Sequence, residues 1–561
     1  MKRFVKVSLL FALVAMVFSS CNCYNRMVRK VDMVEVACSP EVVTLRGHNA
    51  VAEVTVTFPA KYFDEMAVWK ITPVLVYEGG EIAGTPKYVQ GEDVQDNYSV
   101  ISWANGGSYT QTVSIPYADE ASISTLELRI ESKCSNACTE KNNEFVPVAA
   151  VAVASGVRTT SKLADNADYM TYMKDNFKRV ITYTEEADIL YAINRYNVRP
   201  VELTSEQIKL FEDFVKENSN KDRTTLGNVY AKGYASPDGP LKFNDELSKK
   251  RSETGKEAAT KVLSDVDVDY DVAAYGEDWE GFKELVQASD MEDKDLILQV
   301  LDMYSSPVER DQQIQNMTAV WKELTDDIFP QLRRTKLVAS ADVSGKTDAE
   351  LIAAAKGNLS ALDLEEAMYA ATLVEDRATE AKVYKYAAEK YNDARAYNNY
   401  AIAVANMGDW DAAEEALEKA ASMSNDPAIA NNMAAVAIEK GDFAQARTYL
   451  AAAEGVDVSG NQSLLAMAEG NPTTDNLSGY DLAVAQLCLD NPAAAKAAIS
   501  DVTGCADSDY IRAVASMREG DSASALSYLD SAIELNPEKK EQAENDIEFV
   551  KLFGTQEFLA L

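Results

Sequence analysis

Three hydrophobic periods follow one another along the 561 residues and predict a multidomain α+β protein. Residues 31–165 alternate apolar and polar with period two. Residues 166–345 alternate strand-like and helix-like runs, and residues 346–561 repeat an alanine-rich helical unit. The expected architecture is an N-terminal antiparallel β-sandwich, a central β/α sheet domain and a C-terminal α-solenoid. The chain is also too long for a single hydrophobic core.

Composition narrows the function. Asp and Glu number 90 against 54 Lys and Arg, a net charge of -36. Such a chain is repelled by phosphate backbones and has no basic stripe to offset the repulsion, so nucleic acid is excluded as a partner. The one histidine, His48, sits in "LRGHNA" without other candidate ligands and is expected to be exposed and idle. Its isolation removes most histidine triads, histidine-rich metal sites and imidazole acid–base schemes. No paired acid and base, nucleophile motif or metal cluster appears. The expectation is a non-enzymatic protein without metal or cofactor.

The first segment, "MKRFVKVSLLFALVAMVFSSC", has a basic start at Lys2, Arg3 and Lys6, then an apolar run from Val7 to Phe18. That run is too short for a spanning helix, which needs ~20 apolar residues. Residues 1–20 therefore read as a secretory signal peptide. Ser19, Ser20 and Cys21 resemble the end of a bacterial lipoprotein signal, with Phe18 where an aliphatic residue is usual. The resemblance implies that Cys21 is acylated, with palmitate-type chains, and that residues 21–30 are a lipid-anchored tether. The following "NCYNRMVRK" has no acidic cluster. The implied place is the periplasmic face of the outer membrane.

In the β-domain, "AVAEVTVTFP" puts Ala52, Val54, Val56 and Phe58 on one face and Glu53, Thr55 and Thr57 on the other. "ITPVLVYEGGEI" and "STLELRIES" repeat the pattern, and "ANGGS" at 104–108 signals a hairpin. Cysteines suit an oxidising compartment. Cys38–Cys134 and Cys488–Cys505 bridges both fit, and spacing does not fix the connectivity.

In the central segment, "DILYAI" is strand-like and "LTSEQIKLFEDFVKE" opens a helix. Thr204 with Gln207 forms a capping box there, Leu203 and Ile208 a staple, and Ile208, Phe211, Phe214 and Val215 an apolar face. Strands "NVYAKGYA", "VDYDVAAYG" and "RRTKLVASADV" follow, with a helix after the first and a helical insert near 290–328 before the last. Helices are expected to pack on one sheet.

Between Gly233 and Ser252 the chain reads "GYASPDGPLKFNDELSKKRS". With "VELTSEQIKLFEDFVK", "AYGED" and "LRRTKL" it resembles the OmpA-like, peptidoglycan-binding domain over about residues 180–342. Asn244, Leu247, Ser248 and Arg251 fit that family's Asn-x-x-Leu-Ser-x-x-Arg helix signature, and Arg333 and Arg334 its double arginine. The resemblance implies that Arg251 takes the carboxylate of a stem-peptide diamino acid by a two-pronged pair. Asn244, Ser248 and Arg333 would shape the groove. The family's loop carries an aspartate where this chain has Ser236, with Asp238 two residues on. Either Asp238 takes the ligand's ammonium, or it only favours the Pro-Asp-Gly bend and peptidoglycan is not bound.

In the C-terminal segment, "GDWDAAEEALEKA" from Gly408 returns after 33 residues as "GDFAQARTYLAAA" from Gly441, and "GDSASALSYLDSA" begins at Gly520. Trp410 and Phe443 share one place, and Ala413, Ala420, Ala446, Ala525 and Ala532 stand where paired helices approach. The pattern resembles tetratricopeptide repeats. It implies a curved solenoid that recruits a protein partner. Asn398-Asn399 and Asn431-Asn432 recur at one repeat position. Asn399 and Asn432 either reach a bound peptide or, as expected from the missing Lys/Arg clamp pattern, bridge neighbouring helices. Two readings result. One is a tether that links outer membrane to peptidoglycan and recruits a protein; the other is an interaction lipoprotein that has lost peptidoglycan.

Overall fold

The structure, a computed structural model, describes residues 26–134 and 144–561. The expected signal peptide and the expected acylation site Cys21 lie outside the described residues. The chain forms two compact units, one of residues up to Asp175 together with Val374–Leu561, the other Asn176–Leu373. The expected domain boundaries are after 165 and 345; the two units divide after 175 and 373. Among the described residues no helix is long and apolar enough to cross a membrane.

The N-terminal part is built from two sheets around one core. One has the order Val157–Arg158, Glu35–Arg46, Asn49–Phe58, Gly107–Pro116. The other centres on Ala67–Tyr77 and Ser124–Cys134. Ala52, Val54, Val56 and Phe58 are buried as the alternation requires. They share a core with Trp69, Ile71, Leu126 and Leu128 from the other sheet, and Trp69 meets Phe58 edge-on at 5.3 Å between centroids. Most pairs are antiparallel, but Glu35–Arg46 with Val157–Arg158 and Lys87–Gly91 with Ser99–Ile101 run parallel. The "ANGGS" turn closes through Gly106 N–H to Ser102 O at 2.8 Å. It does not join paired strands: Ser99–Ile101 and Gly107–Pro116 belong to different sheets. Cys38, Cys488 and Cys505 are free thiols, whereas Cys134 is disulfide-bonded, so neither expected bridge forms.

The repeats belong to the same unit. Each Gly-Asp marks the turn inside a helix pair. Gly408, Gly441 and Gly520 take positive φ (81°, 77° and 83°), which ends the first helix where a side chain would be strained. Asp409, Asp442 and Asp521 then cap the second helix, accepting from the amides of Ala412, Gln445 and Ser524. Ala413, Ala420, Ala446, Ala525 and Ala532 are fully buried between helices. His48 is exposed, as expected, but it stacks on Phe443 at 5.0 Å, and Gly47 N–H donates to Ala468 O at 2.8 Å. The idle histidine is therefore a docking residue between sandwich and repeats. Local pattern misses this contact because it is made across about 400 residues of chain.

The second unit holds a sheet of order Val180–Leu190, Arg334–Ser344, Val229–Ala235, Tyr270–Glu277. Its first strand begins well before "DILYAI". Residues 180–185 are largely exposed, so no burial alternation announces them. Helix Glu206–Ser219 buries Ile208, Phe211 and Val215. Its cap is Ser205, one residue later than expected, accepting from Ile208 N–H at 3.3 Å. Gln207 instead accepts from Asp188 N–H. The insert has its own core of Phe282, Val286, Ile297, Leu301, Leu324 and Phe329. Helices Asp348–Lys356 and Leu364–Thr372 join this unit through Arg223–Glu350, Arg179–Asp348 and a Lys346–Glu366 pair at 2.6 Å.

Helix Leu241–Val262 lies on the sheet where Gly233 leaves room. A Cβ at Gly233 would stand 2.1 Å from Ser248 O and 2.6 Å from Ser252 N. Those are main-chain atoms that cannot swing aside. Gly233→Ala is expected to destabilise the second unit by about 1–3 kcal/mol, the range for an overpacked core. Thermal unfolding measures it, and an unchanged Tm would show that the helix can lift at no cost.

Candidate functional site

The second unit gathers all six residues expected to bind a stem peptide. Asn244, in the first turn of helix Leu241–Val262, donates to Ser236 O (3.1 Å), Gly239 O (3.1 Å) and Glu277 Oε1 (3.0 Å). It staples the turn to the end of the neighbouring strand. Ser248 Oγ donates to Asp245 O at 2.9 Å and accepts from Gly276 N–H at 3.0 Å. Both side chains are buried and hold the corner together.

Arg251 is 0% exposed. Its Nε donates to Arg195 O at 3.0 Å, its Nη1 to Tyr234 O at 2.8 Å and its Nη2 to Ala192 O at 3.5 Å. The guanidinium lies over the Tyr191 ring at 5.2 Å. Burial pushes it down to about 10, which still leaves it charged at neutral pH. Arg251, expected to offer a fork to a carboxylate, has three of its five N–H groups on main-chain carbonyls. Helix spacing placed it on the inner face, but only the fold could bring the 192–195 loop against it.

Asp238 is closed off as well. Arg333 Nη2 donates to Asp238 Oδ2 at 2.8 Å, Arg333 Nε to Ser236 Oγ at 3.2 Å, and Ser236 Oγ to Asp238 Oδ1 at 2.5 Å. The three side chains form a ring, with Asp238 and Arg333 side chains 14% and 10% exposed. Arg334 forms a second buried cluster, donating to Asp188 Oδ2 at 2.9 Å and twice to Asp278 Oδ2 at 3.0 and 2.8 Å. Asp278 also caps helix Trp279–Ala288 through Gly281 N–H. Its place just before that helix was the sequence signal for it. A carboxylate and a guanidinium are close here, but they answer each other and not an open pocket.

The first unit has a different polar constellation. Residues 166–169 form a turn, and the chain that follows, 170–174, crosses the repeats without a strand beside it. Asn432 Oδ1 accepts from Thr171 N–H at 2.6 Å and its Nδ2 donates to Thr171 O at 3.0 Å. Asn399 grips Met173 the same way, at 2.8 and 2.9 Å. Asn398 donates to Thr171 O, and Asn431 and Asn461 to Tyr169 O. The asparagines also join neighbouring helices, with Asn432 Nδ2 to Asn398 Oδ1 at 2.8 Å and Asn461 Nδ2 to Asn431 Oδ1 at 2.9 Å. The expected helix bridge is there, and the same amides hold a peptide main chain, which was expected to be absent. Asn461 and Asp481 extend the ladder and escaped the sequence reading, because the 33-residue spacing breaks down after Gly441.

Helix Ala394–Ala405, the Gly408 turn and helix Trp410–Met423 make one complete helix pair of this ladder. Residues 394–427 match the tetratricopeptide repeat family. No curated protein matches the chain. The tetratricopeptide repeat is a protein-interaction module, and the helical C-terminal region carries it.

Asp481 is fully buried and accepts from Asp165 N–H at 2.8 Å. Burial, with Asp168 and Asp165 alongside, pushes its carboxyl up to about 8. Folding therefore favours the neutral form. The stabilisation is whole below about pH 4 and lost as pH climbs through about 8. Asp481→Asn keeps the acceptor and removes the charge. It is expected to flatten the loss of stability between pH 5 and 8.5 and to raise stability at pH 8.5 by about 1–3 kcal/mol, the cost of an uncompensated buried polar group. Thermal melts at both pH values check this; parallel pH slopes in parent and variant would refute it.

Proposed function

We propose that the protein is a non-enzymatic scaffold lipoprotein of the bacterial envelope. Cys21 carries its acyl anchor at the periplasmic face of the outer membrane. The unit with the tetratricopeptide repeat engages protein partners. The middle unit is an OmpA-like domain that has lost its stem-peptide ligand. The observation that carries the last point is Arg251: fully buried, it spends three of its five donors on the carbonyls of Ala192, Arg195 and Tyr234. The ring of Ser236, Asp238 and Arg333 supports it, since a ligand ammonium would have to displace a charge-assisted pair. This favours the interaction reading over the wall tether. The absence of motif chemistry in the sequence supports the non-enzymatic part.

Lipid-free protein is expected to stay in the supernatant when spun with purified peptidoglycan. Saturable pelleting that Asp238→Ala or Arg333→Ala abolishes would restore the tether reading. The anchor has its own test. Cys21→Ala is expected to move the protein from the membrane fraction to the soluble periplasmic fraction and to end labelling by palmitate. A variant that stays with the membrane would overturn the acylation.

A further inference from the structure

We infer that the asparagine-lined face of the repeats is a site for a peptide main chain, and that the chain fills this site with its own residues 169–173, shutting outside peptides out. The inference goes beyond a general protein-interaction role, because it names what the groove recognises and what occupies it.

The recognition is of main chain. Asn399 and Asn432 each make the two-bond exchange with one residue that a neighbouring β-strand would make. The residues gripped in this way, Thr171 and Met173, are two apart and follow the 166–169 turn, so both grips fall on the same side of the chain. The rungs come from four helices in chain order: Asn398 and Asn399 from Ala394–Ala405, Asn431 and Asn432 from Pro427–Glu439, Asn461 from Ser459–Ala468, and Asp481 from Gly479–Cys488. The segment runs against that order, from Asp165 at Asp481 to Met173 at Asn399. Main-chain contacts of this kind tolerate many sequences.

Side chains set the register of this occupant. Asn166 Nδ2 donates to Glu439 at 2.7 Å, Tyr172 Oη to Glu380 at 3.0 Å, and Ser478 N–H to Tyr169 Oη at 3.3 Å. Both ends of the segment are covalently tied to the rest of the chain. A tethered ligand acts at an effective concentration on the order of 1 mM. An outside peptide making the same contacts at micromolar concentration is therefore outcompeted roughly a thousandfold.

The test uses the full lipid-free chain and a fluorescein-labelled peptide of residues 163–177. The parent is expected to leave the peptide's anisotropy unchanged to about 100 μM. Thr171→Pro with Met173→Pro removes the two N–H groups that Asn432 and Asn399 accept from. It is expected to free the groove and bind the peptide at least tenfold more tightly than the parent. Adding Asn399→Ala and Asn432→Ala should abolish that binding. Equal binding by parent and double-proline variant, or no binding by a double-proline variant with parental circular dichroism, would overturn the inference. Hydrogen exchange on the unaltered protein gives a second check independent of variant folding. The Thr171 and Met173 amides should exchange at least a hundredfold more slowly than free peptide amides; exchange at the free rate would overturn occupancy.

Discussion

An extended chain without a strand beside it must find partners for its N–H and C=O groups or leave them to water. In the first unit, buried asparagine amides supply them. Residues 169–173 lie on the repeats because Asn398, Asn399, Asn431, Asn432 and Asn461 offer amides to the main chain of Tyr169, Thr171 and Met173. The same amides connect helix to helix, so ligand and solenoid are built into one network. Removing the peptide would leave a row of buried polar groups to be hydrated, and removing the asparagines would orphan the peptide.

The second unit obeys the same rule with charge. Arg251, Arg333 and Arg334 are all nearly or fully buried, and each is compensated differently. Carbonyls surround Arg251, one carboxylate and a hydroxyl meet Arg333, and two carboxylates meet Arg334. Breaking a buried pair by removing one partner typically costs about 3–5 kcal/mol, because a lone charge remains. A cluster satisfied in this way is a structural asset. It binds a ligand only by giving up a bond already made. On the proposed reading, the turn and helix that suggest a ligand grip are a corner closed on itself.

Much of the fold was legible because it rests on short-range rules. Period-two alternation located Ala52 to Phe58, and Gly-Asp located the repeat turns through a left-handed glycine and a capping aspartate. The misses came where distance along the chain entered. Strand 180–190 hides an exposed first half, Ser205 and not Thr204 caps the next helix, and His48 gains its role from Phe443. The recurring asparagine pairs were visible, but their occupant was not, since Tyr169 and Asn431 lie 262 positions apart.

By itself the sequence determined element type, the order of β-rich, mixed and repeat segments, the repeat itself, and which residues cluster at the Gly233–Ser252 corner. Local propensity, periodicity and turn chemistry act over a few residues, so they can be read in one dimension. Only the tertiary structure decided which donors were already spent. Whether Arg251 is free to bind depends on the carbonyls of a loop more than 50 residues away, and whether the repeat groove is open depends on a segment more than 200 residues upstream. A hydrogen bond is a short-range contact in space between groups that no local rule brings together.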